Sequence, residues 1–207
     1  MSTQLTKHLL FKAALVLTAM VPLASYGGIT GTAHDLSTAG WGITEVCIAC
    51  HTPHNAQSTQ LIPLWNHTAT TTVFGLYTSN TLQAVPGQPA GISKACLSCH
   101  DGTVALDSFG NATGTHLMTA GAHLIGTDLS DDHPVSFTYD AALVTLDGGV
   151  GLVSPTSTSF VDVARTVPLF AGKMECASCH NVHDNTIDKF LRKSNTGSAL
   201  CLTCHIK

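Results

Sequence analysis

CIACHTPHN, residues 47–55, and CASCHNVHD, residues 176–184, share one construction that decides the fold of this 207-residue chain. In each stretch a CxxC pair is followed at once by a histidine, and a second histidine comes three residues later. Two further CxxCH motifs complete the set, so all eight cysteines fall into four pairs. The pairs are Cys47/Cys50, Cys96/Cys99, Cys176/Cys179 and Cys201/Cys204, and the histidines that follow them are His51, His100, His180 and His205.

CxxCH is the attachment pattern of c-type haem. Two thiols add across the two vinyl groups of one porphyrin, and the adjacent imidazole lies beneath the ring, where it can bind the iron. A zinc site needs no such fixed order, because its ligands can come from any positions that close a tetrahedron. A disulfide framework, the usual meaning of an even cysteine count in an exported protein, does not explain the histidines. We therefore predict four covalently bound haem c groups.

Four haems leave about 45 residues for each, too few to enclose every ring in its own protein core. The haems must then pack against one another and take the place of part of the hydrophobic core. We predict a multihaem cytochrome c fold of mostly irregular loops, with short α-helices around the haem motifs and little β-structure. A β-hairpin near residues 141–154 is a possibility, because AALVTLDGGVGLVS alternates around Asp147-Gly148-Gly149.

Residues 1–27 have the pattern of a secretory signal, with Lys7 and Lys12 leading into an apolar run and small residues near the cleavage site. No later stretch is long enough to span a membrane. Residues 28–207 are expected to form one tetrahaem domain, with an N-terminal haem pair over 47–100, a linking segment over 101–175 and a C-terminal pair over 176–205. The expected location is extracellular, at the cell surface, with the periplasm as the alternative.

The net charge argues against one class of partner. Without Lys7 and Lys12 the formal charge of −4 becomes −6, and an acidic chain is a poor ligand for nucleic acid.

The axial ligands on the far side of each iron, the distal ligands, must come from elsewhere in the chain. Only Met118 and Met174 follow the leader, so bis-histidine ligation of all four irons is the simplest assignment, and it favours low potentials. Seven histidines remain outside the leader and the motifs: His34, His54, His67, His116, His123, His133 and His183.

His54 and His183 rank first among them, because a residue three positions after a proximal ligand cannot reach round that haem but can reach a neighbouring iron. His34 and His133 come next, each beside Asp and turn residues that can orient the ring. His67, beside Trp65, is a fifth candidate metal ligand, and His116 and His123 lie in a Gly-rich stretch. A surface histidine bonded to a haem propionate is the alternative for His54 and His183. His34, on the N-terminal arm, is the best candidate for binding a haem of another molecule.

The segment CASCHNVHDNTIDKFLRKSNTGSALCLTCH resembles the doubled-CxxCH repeat of multihaem cytochromes c. The wider set of HDLS, CxxCHTPHNA, PLWNH, CLSCHDGTVALDS and DHPVSF is similar to the tetrahaem extracellular cytochromes of the OmcE type. The resemblance implies a homopolymeric nanowire subunit, with one axial histidine donated between subunits. It also implies proximal ligands His51, His100, His180 and His205, and distal ligands His34, His54, His133 and His183.

The expected function is electron transfer rather than catalysis, from periplasmic or outer-membrane cytochromes to external acceptors. Two alternatives remain open. One is a soluble periplasmic shuttle, and the other is a small multihaem reductase, which would need an open iron position.

Overall fold

The computed structural model describes residues 28–57 and 62–207, and most of that length is turn and loop. The predicted leader, residues 1–27, lies outside the described residues. The described residues form three α-helices: α1 (Gly91–His100), α2 (Ala141–Leu146) and α3 (Cys176–Cys179). In the same residues, the strands are β1 (Gly75–Leu76), β2 (Asp128–Leu129), β3 (Phe137–Thr138) and β4 (Lys173–Met174). Single 3₁₀ turns cover Leu36–Thr38, Asp188–Phe190, Thr196–Ser198 and Cys201–Thr203. The predicted fold class is confirmed.

The strands join parts of the chain that are distant in sequence. β1 pairs with β2 in parallel, with Gly75 opposite Asp128. β3 pairs with β4 antiparallel, with Phe137 opposite Met174. Each pair is only two residues long, so the strands fix where loops cross and add little core of their own.

The predicted β-hairpin near residues 141–154 is wrong, because Ala141–Leu146 forms helix α2. Asp140 starts this helix, since its carboxylate accepts a hydrogen bond from the Leu143 amide at 2.8 Å. Gly148 and Gly149, whose sequence suggested a hairpin turn, instead end it. Both adopt left-handed φ angles of 74° and 69°, and the Gly149 amide donates to the Val144 carbonyl at 2.9 Å.

The main apolar cluster lies in the linking segment, which carries no haem motif. Its buried members are Phe137, Tyr139, Leu143, Val161, Val167, Leu169 and Met174. Cys204 of the fourth motif and Leu200, which directly precedes the motif, pack against this cluster. The Tyr139 hydroxyl donates a hydrogen bond to the Cys204 carbonyl at 3.2 Å. A smaller cluster of Phe74, Leu97 and Leu129 packs against the second motif.

Within the described residues, none of the helices combines the length and apolar character needed to cross a membrane.

Candidate haem-binding sites

Each attachment motif occupies about one helical turn, which puts its two cysteines and its histidine on one side of the backbone. The second motif ends α1 and the third begins with α3. The fourth motif begins with the 3₁₀ turn Cys201–Thr203, and the first lies in turns. In three motifs the histidine amide bonds to the carbonyl of the first cysteine. The distances are 2.8 Å for His51, 3.1 Å for His180 and 2.9 Å for His205. The turn therefore positions two thiols and one imidazole together.

Backbone carbonyls orient the motif histidines. Nδ1 of His51 lies 2.8 Å from the Pro63 carbonyl. Nδ1 of His100 lies 2.7 Å from the carbonyl of His123, and Nδ1 of His180 lies 2.8 Å from that of Lys189. A carbonyl only accepts hydrogen bonds, so Nδ1 must carry the proton. Nε2 is then the free, basic nitrogen, which is the arrangement found in metal-binding histidines.

Three motif histidines each face a second histidine ring across a similar gap. The ring centres are 6.1 Å apart for His51 and His183. They are 6.1 Å apart for His34 and His100, and 6.4 Å apart for His133 and His205. In every pair one ring belongs to a CxxCH motif and the other to a predicted distal ligand.

The gap between these rings fits one bis-histidine iron. Two metal–nitrogen bonds of about 2 Å, with each ring centre about 1 Å beyond its nitrogen, place the centres about 6 Å apart. Burial lowers the pKa of His34, His133 and His183 below the ordinary 6.5, and the facing motif histidine acts in the same direction. All three rings therefore favour the neutral form that binds metal. A haem held between such rings would supply a one-electron iron couple.

His180 and His54 remain outside these pairs. Both are exposed, and neither has a facing histidine ring within the part of the chain that the structure describes. The ring of His34 lies inside its own subunit, against His100 and Phe190. His34 therefore does not extend away from the subunit as the expected inter-subunit ligand.

The other candidate histidines contact protein groups. His67 is 2% exposed, and its Nδ1 and Nε2 lie 2.9 Å from the Thr68 carbonyl and 3.0 Å from that of Ala105. His116 bonds to the Asp107 carboxylate at 2.8 Å and stacks on Trp41. His123 contributes its backbone carbonyl to His100, a role that side-chain patterns do not reveal.

Cysteines of successive motifs lie next to one another. A hydrogen bond between the thiols of Cys96 and Cys176 raises the pKa of Cys96 and lowers that of Cys176. Burial, with the nearby Cys50, raises the pKa of Cys99 to about 12. Burial, with the nearby Cys179, raises that of Cys204 to about 12. The attachment points therefore form a continuous series from the first motif to the fourth.

Alanine in place of His34, His133 or His183 should convert one low-spin haem to high spin in each variant, because one axial position is vacated. Carbon monoxide should bind that haem after reduction, as judged by the Soret band. His116→Ala is the matched control, since that ring bonds to the Asp107 carboxylate, and its spectrum should match the unmodified protein. A carbon monoxide adduct in His116→Ala, with none in the other three variants, would refute the pairing.

The family model of the doubled CXXCH motif matches residues 168–207. Among curated proteins, none matches the chain significantly. Together with the CxxCH motifs, this match supports a multihaem c-type cytochrome-like protein that binds haem covalently and transfers electrons.

Proposed function

We propose that this chain is the subunit of a secreted, extracellular filament that conducts electrons through four closely packed bis-histidine haems c. Electrons would enter from cytochromes of the periplasm or outer membrane and leave to external acceptors. His51, His100, His180 and His205 are the proximal ligands in this proposal. His34, His54, His133 and His183 are the distal ligands.

The unpaired state of His54 and His180 carries the proposal. Among the described residues, His180 is the motif histidine that faces no predicted distal ligand, and His54 is the predicted distal ligand that faces no motif histidine. Both side chains are exposed, so each subunit can present His54 as a donor and His180 as an acceptor on its surface. A contact between two different surfaces of identical subunits joins them head to tail, and it produces an open filament unless the rotation closes a ring.

Continuity inside the subunit supports conduction. The haem attachment points lie near one another, through Cys50 and Cys99, Cys96 and Cys176, and Cys179 and Cys204. His183 belongs to the third motif region but faces His51 of the first, which ties those two regions together. The resemblance to OmcE-type cytochromes is independent support for the polymer.

Electron microscopy and sedimentation of the protein from culture medium test this proposal. We expect filaments whose haems are all low-spin. A uniformly monomeric protein confined to the periplasm, with low-spin haems only, would instead indicate a soluble electron shuttle. A monomer with one high-spin haem that turns over nitrite, sulfite or a metal ion would indicate a reductase working at the iron above His180.

A further inference from the structure

Glu175 is a buried carboxylate without a cationic partner. It is 2% exposed, and within the described residues it forms no ion pair with Lys or Arg. Acidic side chains are rarely this buried unless they are paired. The charge of this residue therefore needs a compensating group, and the described residues place no Lys or Arg against it.

Hydrogen-bond donors hold the carboxylate in place. The Ser93 hydroxyl donates to Oε2, and the Ser136 hydroxyl donates to the same oxygen at 2.9 Å. The side chain also accepts from the backbone of Ser178 in a capping box at the start of α3. These donors bring partial positive charge to the carboxylate but no full cation.

This network joins two haem attachment helices. Ser93 lies in α1, which carries Cys96 and Cys99, and its hydroxyl accepts from the Cys176 amide at 3.0 Å. Glu175 directly precedes Cys176 in sequence. The carboxylate is therefore fixed between the second and third attachment sites.

Two more buried acids lie near the second site. Asp35 is 5% and Asp101 is 4% exposed, and each directly follows one ring of the His34/His100 pair. Their hydrogen-bond donors are hydroxyl and amide groups, such as the Thr70 hydroxyl, which lies 2.6 Å from Asp101. Buried negative charge thus concentrates around one of the four haem positions.

We propose that the oxidised haem is the missing counter-charge, and that Glu175 lowers the reduction potential of the haem held between His34 and His100. The proposal rests on the haem attachment described under the proposed function. The ferric porphyrin core carries one positive charge, which is lost when the iron gains an electron. A buried carboxylate, poorly screened by water, therefore stabilises the oxidised state.

Glu175→Gln tests this inference, because glutamine keeps an acceptor oxygen for the serine hydroxyls but has no charge. In spectroelectrochemical titration of the purified holoprotein, we expect part of the curve to move to higher potential. The expected change is about tenfold in the ratio of reduced to oxidised haem at a fixed potential, or about 59 mV for a one-electron couple. The part that moves should be the most negative component of the curve.

Glu45→Gln is the matched control. Glu45 also precedes an attachment motif, at Cys47, but it is exposed, so water and salt screen its charge. Its titration curve should coincide with that of the unmodified protein. Ser136→Ala, which removes one hydrogen bond and leaves the charge, should not raise the potential. A rise in Ser136→Ala equal to that of Glu175→Gln would assign the effect to packing and overturn the inference.

The haem content of the purified protein distinguishes a failure of the proposed function from a failure of the inference about Glu175. If the pyridine haemochrome assay finds no haem c, the proposed function fails. If haem is complete and low-spin but Glu175→Gln titrates like the unmodified protein, only the present inference fails. Should Glu175→Gln bind less haem, the Asp101→Asn variant is titrated in its place, because it removes a second buried charge at the same haem position. Its most negative titration component must then move to higher potential.

Discussion

Filaments should disappear when His54 is replaced by alanine, and one haem in each released subunit should become high-spin. The reason is that the proposed filament uses the exposed His54 as the donor to the iron above His180, and among the described residues His180 faces no histidine ring of its own subunit. Electron microscopy measures the first effect, and carbon monoxide binding to the reduced protein measures the second. His123→Ala is the control, because that ring is exposed while its backbone carbonyl, which orients His100, is retained.

Mixing the unmodified protein with the His54→Ala variant gives a sharper form of this test. A subunit without His54 still presents His180, so it can accept a ligand from a neighbour but cannot donate one. Small amounts of His54→Ala protein should therefore cap one end of growing filaments and shorten them in proportion to the amount added. Filaments of normal length, made of His54→Ala protein with only low-spin haems, would show that another residue joins the subunits.

The haem-free chain should not fold, and this is the second large effect that we expect. The two apolar clusters contain seven and three buried residues, whereas ordering each residue of a chain costs about 1–2 kcal/mol in backbone entropy alone. Without porphyrins, the loops around the motifs lose the surfaces on which they pack. Expression without residues 1–27, in a cell that cannot attach haem, should yield a chain that is rapidly proteolysed and has no near-ultraviolet circular dichroism.

A chain that lacks one haem provides the comparison with the haem-free chain. Replacing both Cys201 and Cys204 by alanine removes one attachment site, next to the main cluster. The remaining motifs should still bind haem, and protection from protease should survive best in the linking segment, where that cluster lies. A haem-free chain that unfolds cooperatively and resists protease would contradict the view that the haems form most of the core.

The spacing of residues within the motifs, and the number of motifs in the chain, predicted the attachment sites and the loop-rich fold. The CxxCH motifs need only one turn of backbone, so the sequence itself determines where each thiol and each proximal imidazole lies. The loop-rich fold followed from the small number of residues available per haem, and the structure confirms it. Three predicted distal histidines, His34, His133 and His183, lie opposite motif histidines, although sequence spacing alone could not say which ring each would face.

Long-range contacts and helix ends were harder to predict. The stretch after Asp140 alternates as a strand would, but the side chain of Asp140 caps a helix and two glycines end it. His34 looked like part of a free arm because no local signal shows that it packs on Phe190 and His100. The contact between Cys96 and Cys176 depends on α1 and α3 meeting, which is a property of the whole fold.

The carbonyls that orient His51, His100 and His180 have a consequence for divergence among relatives. These acceptors belong to the backbone of Pro63, His123 and Lys189, and a backbone oxygen is present whatever side chain occupies the position. Substitutions can therefore accumulate at all three places while the imidazoles keep their orientation. In such a lineage the short attachment signatures would outlast nearly every other trace of common ancestry.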